Sequence, residues 1–346
     1  MPQTVKIGVI GAGNWTISRV LPGFVKQDGV QVTHVANRSR ESAAKVAEKF
    51  NIPNASGDWR DVLTSDVDAV FIGTPPYAHI ETVGPAFDAG KHVLLQTRMS
   101  RTAAEARSMY QASEEAKRRG LKSMLVPPGP FHEGIRYIKH LVETGYVGTL
   151  RQVLAFNLNA SMADPKAPLT NGRNDLAMYG RANAMQLGLT YDVVQNWTGA
   201  ATRVLSQRMN FVTERPATPD GPMARNPFPD EVTVLAETES GALASILVNY
   251  SIHFGDSRVE LYGSEGTIVY KMRGNVILGA RAGEPELKPL TVPAEHNGAW
   301  RCEEEFIQLV RGEIAEPSFS FLHGVRNMEF LEAGYRSAME GGWAVL

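Results

Sequence analysis

Residues 5–16 read Val5-Lys6-Ile7-Gly8-Val9-Ile10-Gly11-Ala12-Gly13-Asn14-Trp15-Thr16, a short apolar segment followed at once by a glycine pair. The apolar segment is typical of a buried β-strand, and the two glycines predict a tight turn into a helix. Backbone N–H groups and the helix dipole at such a turn can hold a pyrophosphate. We therefore predict that Gly11, Gly13, Asn14 and Trp15 contact a dinucleotide.

Downstream of this turn, strand-like and helix-like segments alternate along the chain. Further apolar strands are predicted at residues 30–36, 67–72, 92–95 and 122–126. Helices are predicted at 41–50, from the helical spacing of the apolar residues, and from Thr102, whose distance to Glu105 matches a capping box. This alternation is typical of a parallel sheet with right-handed crossovers. We predict that residues 1–124 form an α/β Rossmann domain with a doubly wound parallel sheet.

The pattern changes at Pro127-Pro128-Gly129-Pro130. After one helix, longer strands are predicted at residues 150–159, 203–213, 231–238, 242–250 and 258–262. Glu239-Ser240-Gly241 predicts a tight hairpin turn, which is typical of antiparallel pairing. Long loops are predicted at residues 162–181 and 216–229, and a final helix at 328–339. We predict that residues 125–346 form an α+β domain with an open, mostly antiparallel sheet for substrate binding and oligomerisation.

The composition argues against several classes of protein. Hydrophobic residues make up 43% and charged residues 21% of the 346 residues, and the net charge is −2. This balance gives no electrostatic reason to bind nucleic acid or an anionic membrane. No apolar run approaches the ~18 residues of a membrane helix. The single cysteine, Cys302, excludes an intrachain disulfide and a cysteine-based zinc cluster, so we predict no metal site and a cytoplasmic location.

Short motifs spread along the chain match one known family. They are Ile7–Gly13, Asp68–Pro76 with His79, Ala89–Leu95, Val259–Thr267, His323–Arg326 and Ala333–Ala338. On these motifs the chain resembles the glucose–fructose oxidoreductase, inositol dehydrogenase and rhizopine catabolism (Gfo/Idh/MocA) family along nearly its whole length. The resemblance implies NAD or NADP as cofactor and a sugar, polyol or small hydroxy or oxo acid as substrate.

The resemblance also implies roles for residues after the third and fourth strands of the first domain. Thr74, Pro75, His79 and Gln96 are expected to contact the cofactor, with His79 close to the nicotinamide. An open sheet with one helix-covered face leaves its other apolar face to be covered, and in this family a second copy often covers it. We therefore predict a homodimer or homotetramer with that sheet face at the interface.

The family's catalytic residues are missing from the matching positions. The family has Glu-Lys-Pro where this chain has Gln96-Thr97-Arg98, and Asp-x-Gly-x-His where it has Gln186-Leu187-Gly188-Leu189-Thr190. Positions 186 and 190 are neighbours on one helix face. We predict that Thr97, Gln186 and Thr190 still bind the substrate. Arg98 is predicted to bind a substrate carboxylate, since a guanidinium matches that geometry, and a surface arginine is the alternative.

Oxidation of an alcohol needs a base, and a threonine hydroxyl does not provide one at pH 7. Tyr191 and His132 are the predicted replacements, although the spacing of Tyr191 also matches a core position. Asp192 is expected to face solvent or to cap a neighbouring element. We predict an NAD(P)-dependent oxidoreductase-like enzyme with a non-standard proton relay. The alternatives are a lyase-type or hydrolase-type enzyme that retains a dinucleotide, and a catalytically silent ligand-binding sensor.

The choice between NADP and NAD depends on the end of the second strand. Asn37 stands where an acidic residue would bind the adenosine ribose, and Arg38 and Arg40 follow it. An acid there repels a 2′-phosphate, whereas a neutral amide with arginines attracts one, so we expect a slight preference for NADP. Thr16 replaces the third glycine of the turn. That glycine serves helix packing and not phosphate contact, so the dinucleotide site remains predicted.

Overall fold

A computed structural model describes residues 4–128, 132–169, 176–182, 186–296 and 300–346. The chain forms two compact units. The first comprises Met1–Pro127 and Arg301–Val325, and the second comprises Pro128–Trp300 and Arg326–Leu346. The change of unit after Pro127 lies close to the boundary expected from the sequence after residue 124. Residues 301–325, which the sequence assigned to the second domain, pack with the first unit.

Six parallel strands form the sheet of the first unit: β1 (Val5–Ile10), β2 (Val30–Ala36), β3 (Asn54–Ser56), β4 (Ala69–Ile72), β5 (His92–Leu95) and β6 (Ser123–Leu125). Their spatial order is β3-β2-β1-β4-β5-β6. Every residue of β4 is buried, as expected for a parallel strand that has helices on both faces. The strand order reverses between β1 and β4, which is where ligands bind in such sheets. The Rossmann prediction is confirmed.

The strands of the first unit are connected by α1 (Leu21–Val25), α2 (Arg40–Phe50), α3 (Arg60–Leu63), α4 (His79–Asp88) and α5 (Ala103–Arg118). A π-helical turn, Thr16–Val20, precedes α1. The Thr102 hydroxyl caps α5 by accepting the N–H of Glu105 at 3.2 Å. The Glu105 carboxylate accepts the N–H of Arg101, so the predicted capping box reaches one residue further back.

Eleven strands follow: β7 (Leu150–Leu158), β8 (Ala201–Met209), β9 (Glu214–Pro216), β10 (Met223–Arg225), β11 (Glu231–Thr238), β12 (Leu243–Asn249), β13 (Arg258–Gly263), β14 (Gly266–Lys271), β15 (Val276–Arg281), β16 (Lys288–Pro289) and β17 (Ala344–Val345). β9 and β10 form a separate hairpin. The other nine form one sheet in the order β16-β15-β14-β13-β7-β12-β11-β8-β17. β7 and β12 pair in parallel, and the remaining neighbours are antiparallel. The prediction of a mostly antiparallel second sheet is confirmed.

The predicted hairpin turn joins β11 to β12, with Gly241 at φ +81° and its N–H donating to the Thr238 carbonyl at 2.9 Å. The sequence did not predict β3 or β14 to β17. It also predicted a loop over residues 216–229, where β10 and the end of β9 lie. β9, β10, β16 and β17 have two or three residues each, which is too few for an alternation of apolar and polar positions to be visible.

The remaining helices are α6 (His132–Glu143), α7 (Leu176–Tyr179), α8 (Leu187–Thr198), α9 (Cys302–Val310) in the first unit and α10 (Phe321–Glu340). α8 packs on β7, β11 and β12, and Ser337 of α10 accepts the N–H of Ser206 at 2.9 Å. Along β11 buried and half-buried residues alternate, so these helices cover one face of the sheet. None of the helices within the described ranges has the length and apolar character needed to cross a membrane.

Candidate functional site

The glycine turn after β1 leaves its backbone open to a ligand. Gly11 has φ +86°, and a Cβ there would lie 2.8 Å from the backbone nitrogen of Thr74. A Cβ on Gly13 would meet nothing within 4 Å, which leaves room in front of the turn. Asn14 and Trp15 are exposed beside it. The Thr16 hydroxyl donates to the Gly11 carbonyl at 3.1 Å, so this side chain ties the turn to the helix that follows.

Asn37, at the end of β2, braces the same turn. Its Oδ1 accepts the N–H of Ala12 at 2.7 Å. The side-chain amide group of Asn37 is left as a donor for a ribose hydroxyl or a phosphate. Arg38 and Arg40 are exposed directly after it. This end of β2 therefore combines a fixed neutral amide with two cationic side chains.

Two buried oxygens lie at the carboxyl ends of β4 and β5. Thr74 Oγ1 and Gln96 Oε1 have no hydrogen-bond partner among the residues that the structure describes. A buried polar atom left in this state costs about 1–3 kcal/mol. Both residues are at positions expected to contact the cofactor. A bound group with donors would satisfy them, so the residues present are compatible with a dinucleotide.

His79 is buried between two loops of the first unit. Its Nδ1 lies 2.8 Å from the Met99 carbonyl oxygen, and its Nε2 lies 2.7 Å from the Thr74 carbonyl oxygen. Burial lowers the pKa of His79, and the two carbonyls oppose that effect. The ring thus joins the segment after β4 to the segment after β5. Its nitrogens are engaged with the protein, which makes His79 a support for the cofactor site.

Thr97 follows β5, where the resemblance places the family's lysine. Its hydroxyl donates to the carbonyl oxygen of Val126, at the end of the neighbouring strand β6. The Thr97–Arg98 peptide bond is cis, and Arg98 is half-buried. The one hydrogen of the Thr97 hydroxyl is donated to the Val126 carbonyl. This hydroxyl can therefore only accept a hydrogen bond from a substrate.

In the second unit, Gln186 and Thr190 meet a third residue that the sequence did not single out. Asn157, near the end of β7, donates from Nδ2 to Gln186 Oε1 at 3.1 Å and to Thr190 Oγ1 at 3.2 Å. The Thr190 hydroxyl donates to the backbone carbonyl of Gln186 at 3.0 Å. Gln186 and Thr190 are the residues that the resemblance places where the family has an aspartate and a histidine, and neither they nor Asn157 ionise near neutral pH.

Asp192 is buried, which corrects the first of the two alternatives expected for it, that it faces solvent or caps a neighbouring element. Its Oδ1 accepts from Gln195 Nε2 at 2.8 Å and from Asn327 Nδ2 at 2.7 Å. Asn327 also donates to the Gly188 carbonyl, and a Cβ on Gly188 would lie 2.9 Å from Asn327 Oδ1. Burial raises the pKa of Asp192 to about 7, although both amide donors oppose the rise. This carboxyl joins α8 to α10 and lies on a different face of α8 from Thr190.

Tyr191 is part of the core. Its ring stacks on Phe330 with centroids 3.7 Å apart, and its hydroxyl accepts the N–H of Ala201 at 2.7 Å. Burial raises the pKa of Tyr191 well above its usual range. A fully enclosed phenol of this kind cannot reach a substrate proton, so its position corrects the prediction of Tyr191 as the base. His132 begins α6, but its side chain lies outside the described residues.

Known families match both parts of the chain. The model of the oxidoreductase family with an NAD-binding Rossmann fold, GFO/IDH/MocA, matches residues 5–122. The model of the GFO/IDH/MocA C-terminal domain matches residues 135–269. Together the two models cover most of the chain and fall on the two sheets described above.

Curated relatives are distant. Levoglucosan dehydrogenase of Pseudarthrobacter phenanthrenivorans is 25% identical over 252 residues, which is 68% of this chain and 64% of that protein. The match thus spans less than two thirds of that relative. The dTDP-3,4-didehydro-2,6-dideoxy-alpha-D-glucose 3-reductase of Saccharopolyspora spinosa is 26% identical over 270 residues, or 78% of this chain and 75% of that protein.

Solved structures agree with the fold over almost the whole length. An oxidoreductase domain protein from Kribbella flavida superposes with a TM-score of 0.88 at 25% identity and covers 99% of each chain. Levoglucosan dehydrogenase in complex with NADH superposes with a TM-score of 0.86 at 21% identity, also over 99% of each chain.

Proposed function

Because the chain belongs to the GFO/IDH/MocA family of oxidoreductases, we propose that it transfers hydride between a nicotinamide dinucleotide and a sugar, polyol or small hydroxy or oxo acid. One observation carries the proposal. The open Gly11–Gly13 turn and the unpaired oxygens of Thr74 and Gln96 lie at the carboxyl edge of one parallel sheet. The relatives described above are a sugar dehydrogenase and a sugar-nucleotide reductase by name.

The dinucleotide, when bound, supplies a hydride donor or acceptor at its nicotinamide ring. The turn at Gly11 and Gly13 offers backbone N–H groups to the pyrophosphate. Asn37 fixes that turn and offers its side-chain N–H groups to the adenosine ribose. Thr74 and Gln96 accept hydrogen bonds at the nicotinamide end. His79 keeps the two loops that carry these residues together.

NADP is the expected form of the cofactor. No acidic side chain stands at position 37, and Arg38 and Arg40 are exposed beside Asn37. A 2′-phosphate would find cationic partners there and no repelling carboxylate.

Proton transfer in this enzyme takes a route without the family's lysine and histidine. Thr97 donates its hydrogen to Val126, and Gln186, Thr190 and Asn157 hydrogen-bond one another. The same neutrality favours a second candidate function, a sensor that binds its ligand without turnover.

A homodimer, alone or as half of a tetramer, is the expected assembly. The face of the large sheet opposite α8 and α10 carries half-buried apolar side chains in adjacent strands: Leu154, Phe156, Leu205, Leu235 and Leu247. The register pairs Leu235 with Leu205 and Leu247 with Phe156, so this face carries two apolar cross-strand pairs. A second copy placed on this face would remove it from water.

Two measurements test the proposed function. Calorimetric titration should show NADPH or NADH binding to the purified protein. Gly11→Ala should lose that binding, because the new Cβ meets Thr74. Gly120→Ala is the matched control, since Gly120 has φ +87° but nothing within 4 Å of its Cβ position. Absence of binding to the parent protein, or equal binding by both variants, contradicts the dinucleotide site.

The second measurement separates the alternatives. A panel of sugars, polyols and hydroxy or oxo acids is followed both by the absorbance of reduced nicotinamide and by product mass. Net change in the cofactor together with product supports the oxidoreductase. Product without cofactor change indicates lyase or hydrolase chemistry, and binding without product indicates a sensor.

A further inference from the structure

The hydrogen bonds around Thr190 fix the orientation of two amide side chains. The Thr190 hydroxyl has one hydrogen, and its oxygen lies 3.0 Å from the backbone carbonyl oxygen of Gln186, which can only accept. The hydroxyl oxygen therefore accepts from Asn157, and the Asn157 atom facing it must be the amide nitrogen. The second hydrogen of that nitrogen goes to Gln186, so the facing atom of Gln186 must be its oxygen, Oε1.

This chain of donors leaves one amide nitrogen unused. Asn157, Gln186 and Thr190 form one hydrogen-bonded cluster. Both hydrogens of Asn157 Nδ2 and the hydroxyl hydrogen of Thr190 are donated within it. Gln186 Nε2 carries two hydrogens and has no partner among the residues that the structure describes. Asn157 and Thr190 are buried, whereas Gln186 is half-buried at the start of α8. The accessible member of the cluster thus offers donors.

The aspartate that the family carries at position 186 offers hydrogen-bond acceptors instead of donors. A carboxylate accepts hydrogen bonds, which suits a substrate hydroxyl. An amide nitrogen donates, which suits a carbonyl oxygen and suits an alkoxide better still, because donors aimed at a developing negative charge stabilise it. The change from acid to amide therefore reverses the hydrogen-bonding partner that the position selects.

We propose, resting on the proposed function, that Gln186 binds a substrate carbonyl oxygen and that the protein takes a ketone or aldehyde as its preferred substrate. In this reaction the carbonyl carbon gains a hydride from the reduced nicotinamide. The C=O π-electron pair moves to the oxygen, which takes a proton from water and becomes a hydroxyl. Gln186 Nε2 donates to that oxygen throughout. No ionised base of the protein takes part, which agrees with the neutrality of the Asn157–Gln186–Thr190 cluster.

The test uses matched ketone and alcohol pairs: 2-keto-myo-inositol with myo-inositol, and 3-keto-levoglucosan with levoglucosan. Binding is measured by calorimetry with oxidised dinucleotide for the ketone and reduced dinucleotide for the alcohol, so that no turnover occurs. We expect at least one ketone to bind at least about tenfold more tightly than its alcohol. In steady state, the same ketone should be reduced about 10²-fold faster than the alcohol is oxidised.

Gln186→Glu replaces the donors by acceptors at nearly constant size and should abolish the ketone preference. The matched control is Gln152→Glu, at an exposed position of β7, the strand that carries Asn157. Dinucleotide affinity should be unchanged in both variants. This inference is overturned if every alcohol binds as tightly as its ketone or more tightly, or if no ketone binds. It is also overturned if the preference for the ketone over the alcohol survives Gln186→Glu. If the parent protein does not bind the dinucleotide at all, the proposed function itself is refuted.

Discussion

Replacing the buried Asp192 by asparagine should make the folded protein more stable at pH 8. The carboxyl has an ordinary pKa of 3.8, and burial raises it to about 7. Each pKa unit corresponds to ~1.4 kcal/mol, so keeping this group ionised in the folded protein costs on the order of 4 kcal/mol. Asparagine carries no such cost. Its Oδ1 can still accept from Gln195 and Asn327.

The sign of the pH dependence follows from which state binds the proton. Between about pH 4 and pH 7 the folded protein holds a proton on Asp192 that the unfolded chain has released. The free energy of unfolding therefore falls as pH rises through this range and is level above it. His34, His79 and His92 have lowered pKa values and act in the opposite direction. Their contribution cancels when Asp192→Asn is compared with the parent protein.

Urea unfolding measured at intervals from about pH 4 to pH 8 provides the assay. The free energy of unfolding of Asp192→Asn, minus that of the parent, should grow by on the order of 4 kcal/mol across the range. Asp220→Asn, at an exposed position of the same unit, should show no such growth. If the free energies of unfolding of Asp192→Asn and of the parent protein change in parallel with pH, the Asp192 carboxyl does not ionise with a raised pKa and the reasoning fails.

Further predictions concern catalysis, cofactor choice, stability and assembly. Thr97→Lys alone should not create myo-inositol or glucose oxidation, measured by reduced-nicotinamide absorbance, because the aspartate and histidine partners are also absent; fast oxidation by the parent or the variant would contradict this. NADPH should bind more tightly than NADH in calorimetry, and Arg38→Glu should narrow or invert that difference; tighter NADH binding by the parent protein counts against the assignment. Arg215→Met should lower the free energy of urea unfolding by about 3–5 kcal/mol, because the guanidinium is fully buried 3.1 Å from Asp230; an unchanged midpoint would show that the pair adds nothing. Light scattering at micromolar concentration should give the mass of a dimer or tetramer, and a monomer would refute the sheet-face interface.

The sequence predicted β1, β4 and β5 of the first sheet well because these central strands are buried on both faces, whereas it did not predict the short, more exposed β3. Continuous apolar runs such as Ala69–Ile72 need no partner to be recognised. In the second sheet, β11 coincides with its predicted bounds because its residues alternate cleanly. β16 and β17 have two residues each. Their pairing depends on where the neighbouring strand lies, which a local pattern does not contain.

The site was predictable only where a motif marked it. Gln186 and Thr190 were singled out because the resemblance places them at the family's site positions, whereas Asn157 and Asn327 were not singled out. A signal for Asn157 was present, since it stands in the same inward register of β7 as Val153 and Ala155. Asn327 meets Asp192 across 135 residues of sequence. A local pattern does not contain so distant a partner, and Asp192 was expected to face solvent or to cap a neighbouring element because it lies off the face of α8 that carries Thr190.

The position of β7 makes the order of synthesis matter for this chain. β7 is made before either of its neighbours, β12 and β13, and one of the two pairs with it in parallel. A nascent chain that has not yet reached Leu243 therefore carries a nine-residue strand with both edges unpaired. Unpaired strand edges and late, non-local pairing favour aggregation. β7 thus remains open to aggregation until the chain has been extended past Leu243.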